Sequence, residues 1–188
     1  MIDVSREYFD IHFIMTSVLQ SMSMSKINVL HLHITDDDTN PLQLPSFPDI
    51  TKYSAWSDKE VYTAQEMKDL VKEATTYGIK VIPEFDLPSH AHAFGRYPDL
   101  KPLVLCMDRH WGYTYPDKER ISGGPNSGAL NPALTASHDF IKKLYKDIIS
   151  IWPESDMIHF GGDEVILDCW NGNKEINDFK TKNGIKSN

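Results

Sequence analysis

The sequence predicts an α/β fold in which strands and helices alternate along one compact domain. Four short apolar runs are each followed by a helical pattern, with a stub at Ile2 to Ser5 counted as the first strand. Such alternation is typical of a parallel sheet with helices packed against it. A length of 188 residues agrees with one domain, since two full domains would need a longer chain.

The first two units are defined by periodicity and by capping residues. Apolar side chains recur at three- and four-residue spacing from Ile11 to Met24, which predicts a helix with one buried face. The run from Val29 to Ile34 predicts a buried strand. Thr63 and Glu66 have the spacing of a capping box, so we expect the second helix to begin there and to end before Gly78.

The second half of the chain contains two more units around a long connection. The run from Ile79 to Asp86 predicts a strand that becomes polar at its end. The segment from Pro88 to Pro132 has no sustained period and is interpreted as a functional or binding loop. A helix is predicted from about Ala136 to Ile149, a short strand from Met157 to Phe160, and a weaker helix from Lys174 to Lys182.

Polar residues follow the C-terminal end of each predicted strand, as they do in enzymes built on a closed barrel. Four units therefore predict the first half, (βα)4, of a TIM (β/α)8 barrel, because a complete barrel needs eight units and about 200 residues or more. We expect residues 1–188 to be the N-terminal half of the barrel domain, with the second half outside this chain. A doubly wound sheet is the structural alternative.

Composition excludes several classes of partner. The formal net charge of -8 leaves no basic field for a phosphate backbone, so we expect no nucleic acid partner. No apolar run reaches the roughly 18 to 20 residues of a bilayer crossing, so we expect no membrane span. Cys106 and Cys169 lack the CxxC spacing of a zinc or thioredoxin-like motif, which leaves two free thiols or one disulfide.

Residues capable of acid–base chemistry collect at the predicted strand ends. Crowded carboxylates raise one another's pKa, which can keep one of them protonated as a general acid. A metal site is the rival interpretation, since His31 and its neighbours could supply ligands, but no zincin motif is present and we expect no metal. The strand-end residues are Arg6, His33 to Asp38, Glu84 to His90, Asp163 and Glu164.

Four motifs in order give the sequence a family resemblance. They are Asp3-x-Ser5-Arg6, the run from Asn28 to Asp37 with its His-x-His and Asp-Asp pairs, the run from Pro83 to His90, and His159-x-Gly161-Gly162-Asp163-Glu164-Val165. Together they resemble the β-N-acetylhexosaminidases of glycoside hydrolase family 20. Cys169-Trp170 and the following helix resemble the eukaryotic lysosomal branch.

The resemblance implies substrate-assisted retaining hydrolysis, in which the 2-acetamido oxygen of the substrate is the nucleophile. It implies that Glu164 is the general acid and that Asp163 binds the acetamido N–H. Asp86 and His90 resemble the pair that tunes Glu164, with His90 touching the acid and Asp86 orienting the ring.

By the same resemblance, Arg6 and Asp36 would bind the outer hydroxyls of the sugar, where a guanidinium can hold neighbouring oxygens. Asp37 and His33 complete the expected substrate-binding set. No cofactor is implied. The resemblance also implies a disulfide between Cys106 and Cys169, and with it a lysosomal or secreted location.

The implied partners are glycans or glycoconjugates that end in N-acetylhexosamine, and a second chain or homodimer that would supply the missing half of the pocket. Two alternatives remain open. One is a catalytically inactive sugar-binding or structural homologue that has kept the motif residues. The other is a metal-dependent hydrolase.

Overall fold

A three-stranded parallel sheet organises the chain. The computed structural model describes residues 1–107, 114–115, 118–119, 128–153, 155–165 and 167–186. Strands β1 (Ile2–Asp3), β2 (Val29–Thr35) and β3 (Lys80–Phe85) pair in that order, all parallel. The register places Asp3 beside His33 and His33 beside Glu84.

The predicted fourth strand is present only as a single bridge. His159 pairs with Glu84 in the parallel sense, and its amide donates to the Pro83 carbonyl at 2.9 Å. The segment therefore occupies the position of a fourth parallel strand, but the expectation of a regular strand from Met157 to Phe160 was wrong. Gly161 and Gly162 follow directly with positive φ, so the extended backbone ends there.

The predicted helices are largely confirmed. The first consists of α1 (Ile11–Phe13), a π-helical turn (Ile14–Val18) and α2 (Leu19–Met24). The capping box at Thr63 and Glu66 is formed at the start of the second predicted helix. Gly78, which has a φ of 69°, follows the end of that helix. The further helices are α3 (Thr51–Ser54), α4 (Ala64–Thr76), α5 (His92–Gly95), a 3-10 turn (Lys101–Leu103), α6 (Thr135–Ile151), α7 (Leu167–Asn171) and α8 (Lys174–Lys182).

The described residues of the predicted loop from Pro88 to Pro132 contain several short elements, and residues 108–113, 116–117 and 120–127 lie outside the described part of the chain. Besides α5 and the 3-10 turn, the segment contains β4 (Val104–Leu105) paired antiparallel with β7 (Ala129–Leu130). Between them β5 (Thr114–Tyr115) pairs with β6 (Lys118–Glu119). Each element has only two to four residues, which is too short to produce a period in the sequence.

The two faces of the sheet differ in chemistry. Leu30, Leu32 and Ile34 of β2 are buried in the apolar core together with side chains of α4 and α6. Because side chains alternate along a strand, His31 and His33 lie on the other face, together with Glu84 of β3. The apolar core therefore lies between the sheet and the helices, and the other face of the sheet carries polar side chains.

A disulfide joins the long segment between residues 88 and 132 to helix α7, which follows the bridge at His159. Cys106 and Cys169 are bonded, with 5.9 Å between their Cα atoms and a sequence separation of 63. This confirms the pairing that the family resemblance implies. Among the residues that the structure describes, no helix has both the length and the apolar composition needed to cross a bilayer.

Candidate active site

Asp36 is the point at which three segments of the chain meet. Its Oδ2 lies 2.6 Å from Arg6 Nη2 and 3.0 Å from His33 Nε2, and its Oδ1 lies 3.1 Å from His90 Nδ1. The Asp36 side chain has no exposed surface. Burial opposes its charge, but the hydrogen bonds from His33 and His90 and the charge of Arg6 hold the pKa of Asp36 below its usual range.

His90 connects this junction to three acids. Its Nε2 lies 3.4 Å from Glu164 Oε2, 3.6 Å from Asp163 Oδ1 and 4.0 Å from Asp86 Oδ2. The ring is buried, which disfavours its charge, but its contacts with Asp36 and other carboxylates raise the pKa of His90 to about 11. His90 is therefore a cation among carboxylates.

The two acids at the end of the sheet are accessible. The side chains of Asp163 and Glu164 are 72% and 60% exposed. Glu164 has a backbone φ of 45°, and its carbonyl accepts a hydrogen bond from Ser89 Oγ at 3.1 Å. The left-handed turn at Glu164 thus presents two adjacent carboxylates to solvent beside one histidine.

Asp86 fixes the turn that leads to these acids. The Gly162 amide donates to Asp86 Oδ1 at 2.8 Å. A Cβ atom at Gly161, where φ is 64°, would lie 2.0 Å from the same oxygen, so only glycine fits. Burial raises the pKa of Asp86 to about 7, helped by the neighbouring Asp163 and opposed by Gly162 and His90.

The structure changes the roles expected for several residues. Asp36, not Asp86, contacts His90 Nδ1, since Asp86 lies on the Nε2 side of the ring. Asp36 and His33 are buried beneath Arg6, whose side chain is 45% exposed. Asp37 is also buried, and its Oδ1 accepts hydrogen bonds from the backbone amides of His92, at the start of α5, and Gly128. Of the four residues expected to bind substrate, Arg6 has the accessible side chain.

Sequence reasoning missed the role of Glu84. Its Oε2 lies 2.6 Å from His31 Nε2 and 3.1 Å from His33 Nδ1, and its Oε1 lies 3.0 Å from His159 Nδ1. The signal was present in part, because His31 and His33 must share a strand face. The register that places Glu84 beside them was not readable from the sequence.

Several of these groups meet the distance requirement of a cation site. The ligand atoms of His31, Glu84 and His159 lie within 4.8 Å of one another, as do those of Asp86, His90 and Asp163. Two further sets are built around Asp36. Hydrogen bonds between imidazoles and carboxylates account for the same short distances.

The solved structures on which this chain superposes imply a catalytic domain of the TIM-barrel type. The solved chitobiase of Flavobacterium johnsoniae superposes with a TM-score of 0.81 at 27% identity, covering 100% of this chain and 26% of that one. Residues 1–188 match the profile described as glycosyl hydrolase family 20, catalytic domain. The chain therefore belongs to glycosyl hydrolase family 20.

Two relatives with hexosaminidase names support membership of this family. Beta-hexosaminidase subunit beta of Homo sapiens is 35% identical over 186 residues, which are 98% of this chain and 31% of that protein. The chitooligosaccharidolytic beta-N-acetylglucosaminidase of Bombyx mori is 32% identical over 183 residues, or 97% of this chain and 29% of that protein. The chain thus spans about a third of the length of these relatives.

Proposed function

We propose that this chain carries the acid-bearing part of a β-N-acetylhexosaminidase site, which removes terminal β-linked N-acetylhexosamine from glycans or glycoconjugates. One observation carries the proposal: the adjacent, accessible carboxylates of Asp163 and Glu164 lie within 3.6 Å and 3.4 Å of His90 Nε2 at the carboxyl edge of the sheet. The hexosaminidase names of its relatives support the same reaction.

The first step is cleavage with help from the substrate. The acetamido oxygen attacks the anomeric carbon while the bond from that carbon to the glycosidic oxygen breaks. Glu164 gives its proton to the departing oxygen, so the leaving group departs as a neutral alcohol. Asp163 accepts a hydrogen bond from the acetamido N–H and stabilises the positive charge of the oxazolinium ring.

The second step returns the site to its starting state. The Glu164 carboxylate now accepts a proton from water, whose oxygen attacks the anomeric carbon as the bond to the acetamido oxygen breaks. Two displacements at one carbon retain its configuration. Arg6 is placed to bind outer sugar hydroxyls, while Asp36, Asp37 and His33 support the site from below.

A matched pair of substrates tests this mechanism in the complete protein that carries residues 1–188. We expect turnover of an aryl β-N-acetylglucosaminide and none of the aryl β-glucoside, which lacks the acetamido nucleophile. Glu164→Gln should lower turnover about 100-fold or more on a poor leaving group and much less on an activated one. Equal hydrolysis of both sugars would exclude substrate assistance, and saturable sugar binding without turnover would favour the inactive homologue.

We propose further that residues 1–188 form the first half of a (β/α)8 barrel. The support is that β1 and the bridge at His159 are the two outer members of the sheet, with Phe160 56% exposed. A second chain or a homodimer is one source of the other half. The intact mass of the native protein tests this, because activity in a verified 21.5 kDa monomer would contradict it.

A lysosomal or secreted location is part of the proposal. It is supported by the Cys106–Cys169 bond, since disulfides persist in oxidising compartments. Fractionation of the source cells, with the protein detected in the lumenal or external fraction, would support this location, and recovery from the cytosol would contradict it.

A further inference from the structure

His33 is held between two carboxylates. Its Nδ1 lies 3.1 Å from Glu84 Oε2, and its Nε2 lies 3.0 Å from Asp36 Oδ2. A neutral imidazole has one N–H and one lone pair, so one of its nitrogens would face an acceptor without a hydrogen between them. Between two ionised carboxylates only the imidazolium form satisfies both contacts, and His33 is therefore the cation between Glu84 and Asp36.

Glu84 is a fixed carboxylate on the polar face of the sheet. It is 6% exposed, and besides His33 it contacts His31 Nε2 at 2.6 Å and His159 Nδ1 at 3.0 Å. These contacts come from β2 and from the fourth parallel position, on either side of β3. Glu84 therefore cannot move away from His33 without breaking contacts on both sides.

The contacts form a continuous chain that ends at the acid. Glu84, His33, Asp36, His90 and Glu164 follow one another with separations of 3.1, 3.0, 3.1 and 3.4 Å. Positive and negative members alternate from the sheet face to His90. Asp36 shares its two oxygens between the two histidines, so a change at His33 reaches His90 through one carboxylate.

We infer that His33 and Glu84 are positioning residues of the site: the His33 imidazolium, fixed by Glu84, holds Asp36 in place and thereby the His90 ring opposite Glu164. This inference rests on the proposed function. Neither residue is placed to touch the sugar, since both are buried. Their effect on the reaction is therefore indirect.

The electrostatic surroundings of His33 agree with this role. Burial disfavours its charge, but the hydrogen bonds to Asp36 and Glu84, with a smaller contribution from Asp3, raise the pKa of His33 to about 9. Glu84→Gln keeps the shape and removes the charge, so the pKa of His33 should fall. The charged and titratable groups around His33 are Asp3, Arg6, His31, Asp36, Glu84, Asp86, His90 and His159.

The first measurement does not need turnover. The imidazole nitrogen shifts of His33, read by NMR at pH 7.5, should be those of a cation in the wild-type protein. In Glu84→Gln they should move toward the neutral form, and the shifts of His90 should move with them. A neutral His33 in the wild type would overturn the inference, as would imidazole nitrogen shifts of His90 that are the same in the wild type and in Glu84→Gln.

The second measurement is a double-mutant cycle. Glu84→Gln should lower kcat/KM about tenfold or more on a poor leaving group, because misplacement by about 1 Å can cost about 100-fold. In a His90→Asn background the same substitution should lower kcat/KM less than about twofold, because the series of contacts from Glu84 to Glu164 is already broken at His90. Asp147→Asn is the matched control, because Asp147 is a buried carboxylate that accepts hydrogen bonds from Ser46 and, within the described part of the chain, has no contact with Glu84, His33, Asp36 or His90.

The outcomes separate the inference from the proposed function. Additive losses in the cycle, or an equal loss in Asp147→Asn at the same change in Tm, would overturn the positioning role. A wild-type protein without hexosaminidase activity would overturn the proposed function, while the NMR measurement would still decide the link from His33 to His90. Should Glu84→Gln fail to fold, His33→Gln makes the same test in the cycle.

Discussion

At Asp36 the free energy cost of burying a carboxylate is offset by three cationic neighbours. Removing a charge from water costs several kcal/mol unless it is paired and hydrogen-bonded. Arg6, His33 and His90 supply those pairs from three separate segments. Ion pairs with Asp36 therefore fix the buried part of the site, while the side chains of Glu164 and Asp163 remain accessible to solvent.

Gly161 is the residue whose substitution should disturb the acids most directly. In Gly161→Ala the new methyl group would overlap Asp86 Oδ1, so we expect loss of the Gly162 hydrogen bond and a drop in turnover of about tenfold or more. Turnover and thermal unfolding measure the two effects.

Gly184→Ala is the control for that substitution, because Gly184 has the same φ of 64° and no atom within 4 Å of its Cβ position. It isolates the backbone cost, which is about 1 kcal/mol. If both alanine variants behave alike, the contact with Asp86 has no part in the effect.

The sequence predicted which residues share the site better than it predicted their partners. Arg6, Asp36, His90, Asp163 and Glu164 do meet at one edge of the sheet. Which carboxylate faces which ring nitrogen depends on a register shift between His33 and Thr35, and no local pattern encodes that shift.

At the scale of elements, long periodic segments were predictable and short ones were not. The capping box and the apolar period fix α4, and α8 begins and ends where predicted, at Lys174 and Lys182. The fourth parallel segment was predicted by its apolar residues alone. Its pairing is set by a neighbouring strand and by the turn at Gly161, which are not properties of that segment.

The disulfide is the element-scale constraint that we expect to matter most for stability. Closing a loop of 63 residues reduces the entropy of the unfolded chain and should stabilise the fold by about 4 kcal/mol in the entropic model. A Cys106→Ser, Cys169→Ser double variant should therefore unfold at markedly lower denaturant concentration. Alkylation of the unfolded, unreduced protein should label neither thiol, and two labelled thiols per chain would contradict the bond.

For the whole molecule, the buried charges predict that stability depends on pH. His33 has its pKa raised from 6.5 to about 9, so its contribution is complete below pH 6.5 and is lost as the pH rises to 9. Asp86 has its pKa raised from 3.8 to about 7, mainly by burial, so its ionisation opposes folding; this penalty is absent below pH 3.8 and complete above pH 7. Both changes favour the folded state in mildly acidic solution.

The free energy of unfolding should accordingly fall by up to about 3 kcal/mol between pH 6.5 and pH 9 through His33 alone. Denaturant unfolding at pH 6, 7.5 and 9 measures this slope. His33→Gln should reduce this slope and leave the part that is due to His90, whose pKa is also raised above 6.5, whereas His138→Gln, at an exposed position on α6, should leave the slope unchanged. A wild-type stability that is constant or rises over this interval would contradict the assigned charges.

The chain order of the groups around Asp36 determines when each can meet it during synthesis. Arg6, His33 and Asp36 leave the ribosome close together, so the carboxylate has two cationic neighbours early. His90 follows 54 residues after Asp36, which is about 3 to 10 s at ordinary elongation rates. Glu164 comes 75 residues after Ser89, whose hydroxyl binds its carbonyl. A growing nascent chain would thus carry the charged groups around Asp36 for some seconds before it acquired Glu164, and a chain truncated after His90 would carry them without the acid.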